Sequence, residues 1–147
     1  MITQGQHFSA TNIGPFENLL QREFKGLQGK YFVGQELGLS GCEVSLNCLP
    51  AGKSAPLVHI HKKNEELYII TGGNGTFFVD GNEFAVEEGS LIRVAPAGER
   101  AWKAGDKDLY FICIQAQEGS LTQATLEDGI RVETKASWMD SGAFVAK

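Results

Sequence analysis

Short apolar runs broken by turn signals leave this chain few folds to choose from. It carries 18 glycines but only 4 prolines, and helical periodicity is weak throughout. The pattern specifies a mainly β domain. Residues 43–49 show it best, alternating Val44, Leu46 and Cys48 against Glu43, Ser45 and Asn47, so that one face is buried and the other polar. Strands are also expected at 31–37, 66–71, 76–79, 83–86, 91–94, 109–115 and 130–134. Asp80-Gly81 and Asp128-Gly129 are tight-turn pairs, and the first should close a hairpin between 76–79 and 83–86. Regularly spaced short strands favour a closed sandwich or barrel. Residues 16–24 read as a short helix or an extended arm, and Trp138 as a C-terminal apolar anchor.

With 147 residues, the chain suits one domain spanning 1–147, with residues 1–30 as an N-terminal arm. Its net charge of −5 and scattered basic residues give no electrostatic footprint for nucleic acid or an anionic membrane. No stretch approaches the roughly 18 apolar residues of a membrane span. The expected partner is therefore a small-molecule ligand. Cys42, Cys48 and Cys113 form no CxxC pair, and no apolar run at the start resembles a signal peptide. The expectation is free thiols and a cytoplasmic location.

Chemistry concentrates at His59-x-His61 and the Glu65-Glu66 pair. Two imidazoles and a carboxylate suit a first-row divalent metal such as iron, manganese, nickel or zinc, with positions left open for water or substrate. Residues two apart on an extended segment share a side, so both histidines can face one pocket. Parity does not choose between the glutamates, because Glu66 aligns with Tyr68 and Ile70 while Glu65 aligns with Leu67 and Ile69. The competing reading is a metal-free pocket in which the histidines hydrogen-bond and the glutamates are solvated. Gln115 and Cys113 share a face of the last strong strand and are the candidates to extend the ligand shell. Gly72-Gly73-Asn74-Gly75 lacks the helix of a phosphate-binding loop and reads as a turn. The serines show no nucleophile-elbow pattern.

The order of these signals resembles the cupin superfamily. Gly52, His59, His61, Glu66 and Gly73 stand where the first cupin motif has its glycine, paired histidines, glutamate and closing glycine, with one extra residue after Gly52. Gly89, Pro96 and Gly98 fill the second motif, again with one residue inserted. Its histidine is missing, and by count from Gly98 that position falls on Ala101. The match spans 41–115. The run 64–68, the segment 96–102 and residues 112–115 are similar to small single-domain cupins of the conserved-barrel type that have no assigned activity.

The resemblance implies an all-β double-stranded β-helix, a jelly-roll barrel with a central pocket, and homodimers. It favours Glu66 over Glu65 and gives His59, His61 and Glu66 as the metal set. It leaves two functions open: a metal-dependent dioxygenase or isomerase, or a non-catalytic, metal-free cupin that binds a sugar or small anion. Arg100, in the segment lacking the histidine, is the expected anchor for an anionic substrate. Tyr68 and Gln115 are the other candidate substrate contacts. Arg93 is expected in a surface ion pair, and Trp102 in packing at the barrel mouth.

Overall fold

The computed structural model describes residues 2–124 and 126–139. The chain opens with a small hairpin, β1 (Thr3–Gly5) and β2 (Phe8–Ala10), then a 3-10 helix over Phe16–Gln21. A second hairpin follows, β3 (Glu23–Phe24) and β4 (Leu27–Gln28), then β5 (Lys30–Phe32) and a one-turn helix, α1 (Gly34–Leu37). Seven strands follow: β6 (Glu43–Leu49), β7 (Asn64–Gly72), β8 (Asn74–Val79), β9 (Asn82–Glu87), β10 (Leu91–Val94), β11 (Arg100–Ala104) and β12 (Leu109–Gln117).

Two antiparallel sheets carry the fold. One has five strands in the order β10-β7-β12-β6-β5, the other three in the order β11-β8-β9. Alternation along each strand sends one side chain in two to the space between them. There Tyr68 and Ile70 of β7, Phe111 and Cys113 of β12, and Ile92 of β10 meet Phe77 of β8 in one buried cluster. Register aligns Tyr68, Cys113, Ser45 and Phe32 in one row across the larger sheet, and Ile70, Phe111, Asn47 and Lys30 in the next. Asp80-Gly81 forms the β8–β9 turn with both residues at positive φ, as a two-residue hairpin of this twist requires. A single residue, Gly73, joins β7 to β8. Its φ is 75°, and any Cβ there would run into the carbonyl of Asp108.

The first thirty residues do more than trail as an arm. The 3-10 helix lies on the outer face of the β12-β6-β5 end of the sheet, where Leu19, only 1% exposed, packs with Leu46 and Cys48 in a second core. Tyr31, Tyr110 and Ile112 enclose it. Truncating Leu19 to alanine should therefore cost about 2–5 kcal/mol, read as a lower denaturation midpoint. A loss below about 1 kcal/mol would show that this segment does not seal the sheet.

Three expectations need correction. The run 31–37 is not one strand: β5 ends at Phe32 and the chain turns into α1. The Glu43 carboxylate accepts the Gly34 and Val44 N–H groups at 2.8 and 3.0 Å, which draws the chain into the turn. Residues 130–134 form no strand. Both neighbours of β12 are already in place, and a strand with no partner has no ladder to hold it; Ile130 is 89% exposed. Trp138, at 67% exposed, is not a buried anchor. Besides the two short N-terminal hairpins, one strand of the main sheets was not expected. In β11, charged and small residues hide the alternation that pairs it with β8.

Candidate metal centre and its cavity

His59 and His61 lie on a segment that runs beside β11 without a regular ladder of its own. His59 exchanges both backbone hydrogen bonds with Arg100, at 3.1 Å each, and the His61 N–H donates to the Pro96 carbonyl at 2.8 Å. These bonds hold the segment extended, so both imidazoles project inward, ring centroids 5.2 Å apart. Glu66 enters from β7 and is 4% exposed. His61 Nε2 lies 3.1 Å and His59 Nε2 3.7 Å from Glu66 Oε1. The three side chains thus converge, each offering one ligand atom, all within 4.8 Å of one another. Glu65, on the opposite parity, faces outward and pairs with Arg93 at 2.7 Å, while Arg93 also reaches Glu118 at 2.8 Å. The structure thus separates the two glutamates that sequence parity left equivalent.

Glu66 is held as a carboxylate. Tyr68 donates its hydroxyl to Oε1 at 2.6 Å, and the Cys113 thiol donates to Oε2 at 3.0 Å. Burial by itself pushes the acid up, but the approach of His59, the hydrogen bonds from Cys113 and Tyr68 and the charge of His61 outweigh it and bring Glu66 down to about 2. For His61, burial is the largest influence and lowers its pKa, helped by Arg100 and His59 against the pull of Glu66. Neutral imidazole beside ionised carboxylate is the state a metal requires. The donor set fits a divalent ion in a further respect. His61 Nε2 is buried and makes no hydrogen bond despite its closeness to Glu66, and a nitrogen so placed needs a partner. Cys113 does not extend the ligand set. Burial and the Glu66 carboxylate push its thiol well above the usual range, so it stays protonated and donates.

Arg100 is not where an anion-binding residue belongs. Its side chain is 0% exposed and lies behind Glu66, with Nε 3.4 Å from Oε1. Its guanidinium donates to the carbonyls of Ala95, Pro96 and His59 at 3.2, 3.3 and 3.5 Å. No part of it lines the cavity. Ala101 also sits differently from what motif counting implies. It pairs with Phe78, on the face opposite Phe77 and Trp102, which stack at 5.7 Å inside. Arg100 and Trp102 on either side of it are the inward positions, and Arg100 is the one that reaches Glu66.

In front of the cluster lies a cavity of about 400 Å³. His59, His61, Glu66, Tyr68 and Gln115 all contribute to its wall, which brings together two of the three proposed substrate contacts with all three metal candidates. Gln115 accepts from Asn64 at 3.0 Å. Trp102, Phe111 and Phe32 supply apolar wall, and the turn carrying Lys25 and Leu27 closes one side. Lys30 also faces the cavity, and the sequence reading passed over it. The available signal was alternation, since Tyr31 packs in the outer core and its neighbours must point the other way.

Strand order, the converging histidines and glutamate, and the central cavity define the cupin class. The family described as Cupin domain matches residues 45–115. Among solved structures, a cupin protein from Bacteroides fragilis is 34% identical, covering 87% of this chain and 99% of that one with a TM-score of 0.75. This chain belongs to the cupin superfamily. A Cupin 2 conserved barrel domain protein from Salinispora arenicola is 16% identical over 74% of this chain and 91% of that one, TM-score 0.57. A putative sugar phosphate isomerase from Acidithiobacillus ferrooxidans is 20% identical over 60% and 58%, TM-score 0.55. These two share the fold. No curated protein matches the chain.

Proposed function

We propose that this protein is a small-molecule cupin that holds a divalent first-row metal through His59, His61 and Glu66. The observation that carries the reading is the convergence of these three groups at the cavity wall, with His61 Nε2 buried 3.1 Å from Glu66 Oε1 without a well-aligned hydrogen bond. A bound ion with protein ligands from only three side chains supplies a Lewis acid, or a redox centre if it is iron or manganese, with positions open to a ligand. Tyr68 and Cys113 fix the carboxylate on its remaining lone pairs, as outer partners of a metal site do. The aromatic wall excludes water from a ligand in the cavity. Dioxygenase and isomerase chemistry both fit this arrangement.

A second reading, metal-free ligand binding, is favoured by one observation. Arg100 places a permanent positive charge against Glu66, so the carboxylate is already compensated and a divalent ion gains less there than at an unpaired carboxylate. Elemental analysis separates the two readings. Purified protein, reloaded with iron, manganese, nickel or zinc, should carry one metal per chain, and a His59→Ala/His61→Ala variant should carry close to none while keeping its circular dichroism spectrum. Wild-type protein that refuses reloading would remove the metal reading and leave the binder.

A further inference from the structure

Lys30 supplies the cationic anchor that Arg100 does not. From β5 its side chain enters the cavity on the wall away from the histidines, three strands across the sheet from Glu66. Nζ donates to Asn47 Oδ1 at 2.9 Å and lies 5.0 Å from the centre of the Phe32 ring. An ammonium has three N–H groups, so Asn47 takes one and the others remain for the cavity. Asn47 is itself fixed, donating to the Ser45 carbonyl and hydroxyl at 3.1 and 3.0 Å, so the lysine is positioned rather than free to swing. Burial lowers the Lys30 pKa, against the opposing pull of the Glu66 carboxylate. An anion in the cavity offsets that loss of solvation.

The charge balance points the same way. Glu66 is the acid on the cavity wall, and Arg100 stands directly behind it. Lys30 and, at the rim, Lys25 are then uncompensated, which makes the cavity positive in a chain of net charge −5. Beside the histidines, Tyr68 and Cys113, the rest of the wall is mainly apolar, with Phe32, Trp102, Phe111, Leu27 and Leu57, and Ser45 and Gln115 are its neutral polar members. One deep ammonium suits one carboxylate. A phosphate dianion is normally met by a guanidinium fork or a helix N-terminus, and the wall offers neither.

We propose that the cavity binds a small organic monocarboxylate, its carboxylate on Lys30 and its apolar body between Phe32, Phe111 and Trp102, with its far end at the His59–His61–Glu66 cluster. This assigns a ligand class to the same site and rests on its reading as the ligand-binding cavity.

The test is calorimetric titration of chelator-treated protein with phenylacetate, phenylacetamide and phenyl phosphate, repeated on Lys30→Gln and Lys30→Arg. Wild-type protein should bind the acid at least about tenfold more tightly than the amide, the range of a charge-assisted hydrogen bond. Lys30→Gln should level the two, and Lys30→Arg should keep the preference and so exclude a merely structural effect. The proposal is overturned by an acid–amide preference that survives Lys30→Gln, by equal binding or no binding of acid and amide to wild type at millimolar concentration, or by phenyl phosphate binding more tightly than phenylacetate. Metal content, measured on separately reloaded samples, should be unchanged by Lys30→Gln. A failure of metal binding therefore shows in the reloading and a failure of the carboxylate anchor in the chelator-treated titration.

Discussion

Arg100→Met should destabilise the folded protein by about 3–5 kcal/mol, the cost of breaking a buried ion pair by removing one partner. The guanidinium is fully buried, and its nitrogens serve three backbone carbonyls and approach Glu66 at once. Methionine fills part of the volume but leaves those carbonyls with only their backbone donors and the carboxylate without its charge partner. The contribution of the charge can be isolated. Arg100→Met combined with Glu66→Gln should recover part of the loss, because the stranded negative charge is gone, and the double-mutant cycle measures the coupling. Chemical denaturation with the metal chelated is the appropriate readout. A single-variant loss below about 1 kcal/mol, or a double variant no more stable than the sum of its parts, would contradict this account of Arg100.

The same carboxylate sets an acid limit on the metal-free protein. Its folded pKa of about 2 lies below the ordinary value of 4.5, so the unfolded chain takes up the proton first as pH falls. The stabilisation is complete above the ordinary value and is lost as pH falls from there towards about 2.

Legibility in the sequence followed physical contrast. Strands β6, β7, β8, β9, β10 and β12 alternate apolar with polar residues or end at glycine turns, and they lie close to where that pattern puts them. The histidines and the Glu65-Glu66 pair were legible because few chemistries use two imidazoles and a carboxylate at that spacing, and the resemblance to cupins then favoured Glu66. What failed depended on partners remote in sequence. The segment around Leu19 is covered by a sheet face that exists only once β6 and β12 pair. Lys30 looked like any surface lysine until β5 was placed on the edge of β6 with Asn47 opposite. Arg100 was recognised as important for a reason the structure reverses, since it binds the protein's own carbonyls and not a ligand. Counting from Gly98 also misled, because along a strand one step changes the face, and in β11 Ala101 points outward while Arg100 points inward.

That parity leads to the second large effect. Arg100, not Ala101, projects inward beside Glu66, and from the backbone a histidine Nε2 lies as many bonds away as the arginine Nε that now sits 3.4 Å from Oε1. Arg100→His should therefore place a third imidazole against the cluster while removing a permanent positive charge, and both changes favour a divalent cation. Affinity should rise by on the order of a hundredfold, given that even outer partners of a metal site are worth 10–100-fold. Stability should move in opposite directions with and without metal. The metal-free variant loses the guanidinium's bonds to Ala95, Pro96 and His59, whereas the loaded form regains stability with the logarithm of the metal concentration over its Kd. Competition with a chromophoric chelator, paired with melting curves at several zinc concentrations, measures both. Ala101→His serves as the control, because from the outer face beside Phe78 it should leave affinity unchanged. If Ala101→His tightened binding and Arg100→His did not, the register of β11 would be wrong and, with it, the assignment of Arg100 to the place of the missing ligand.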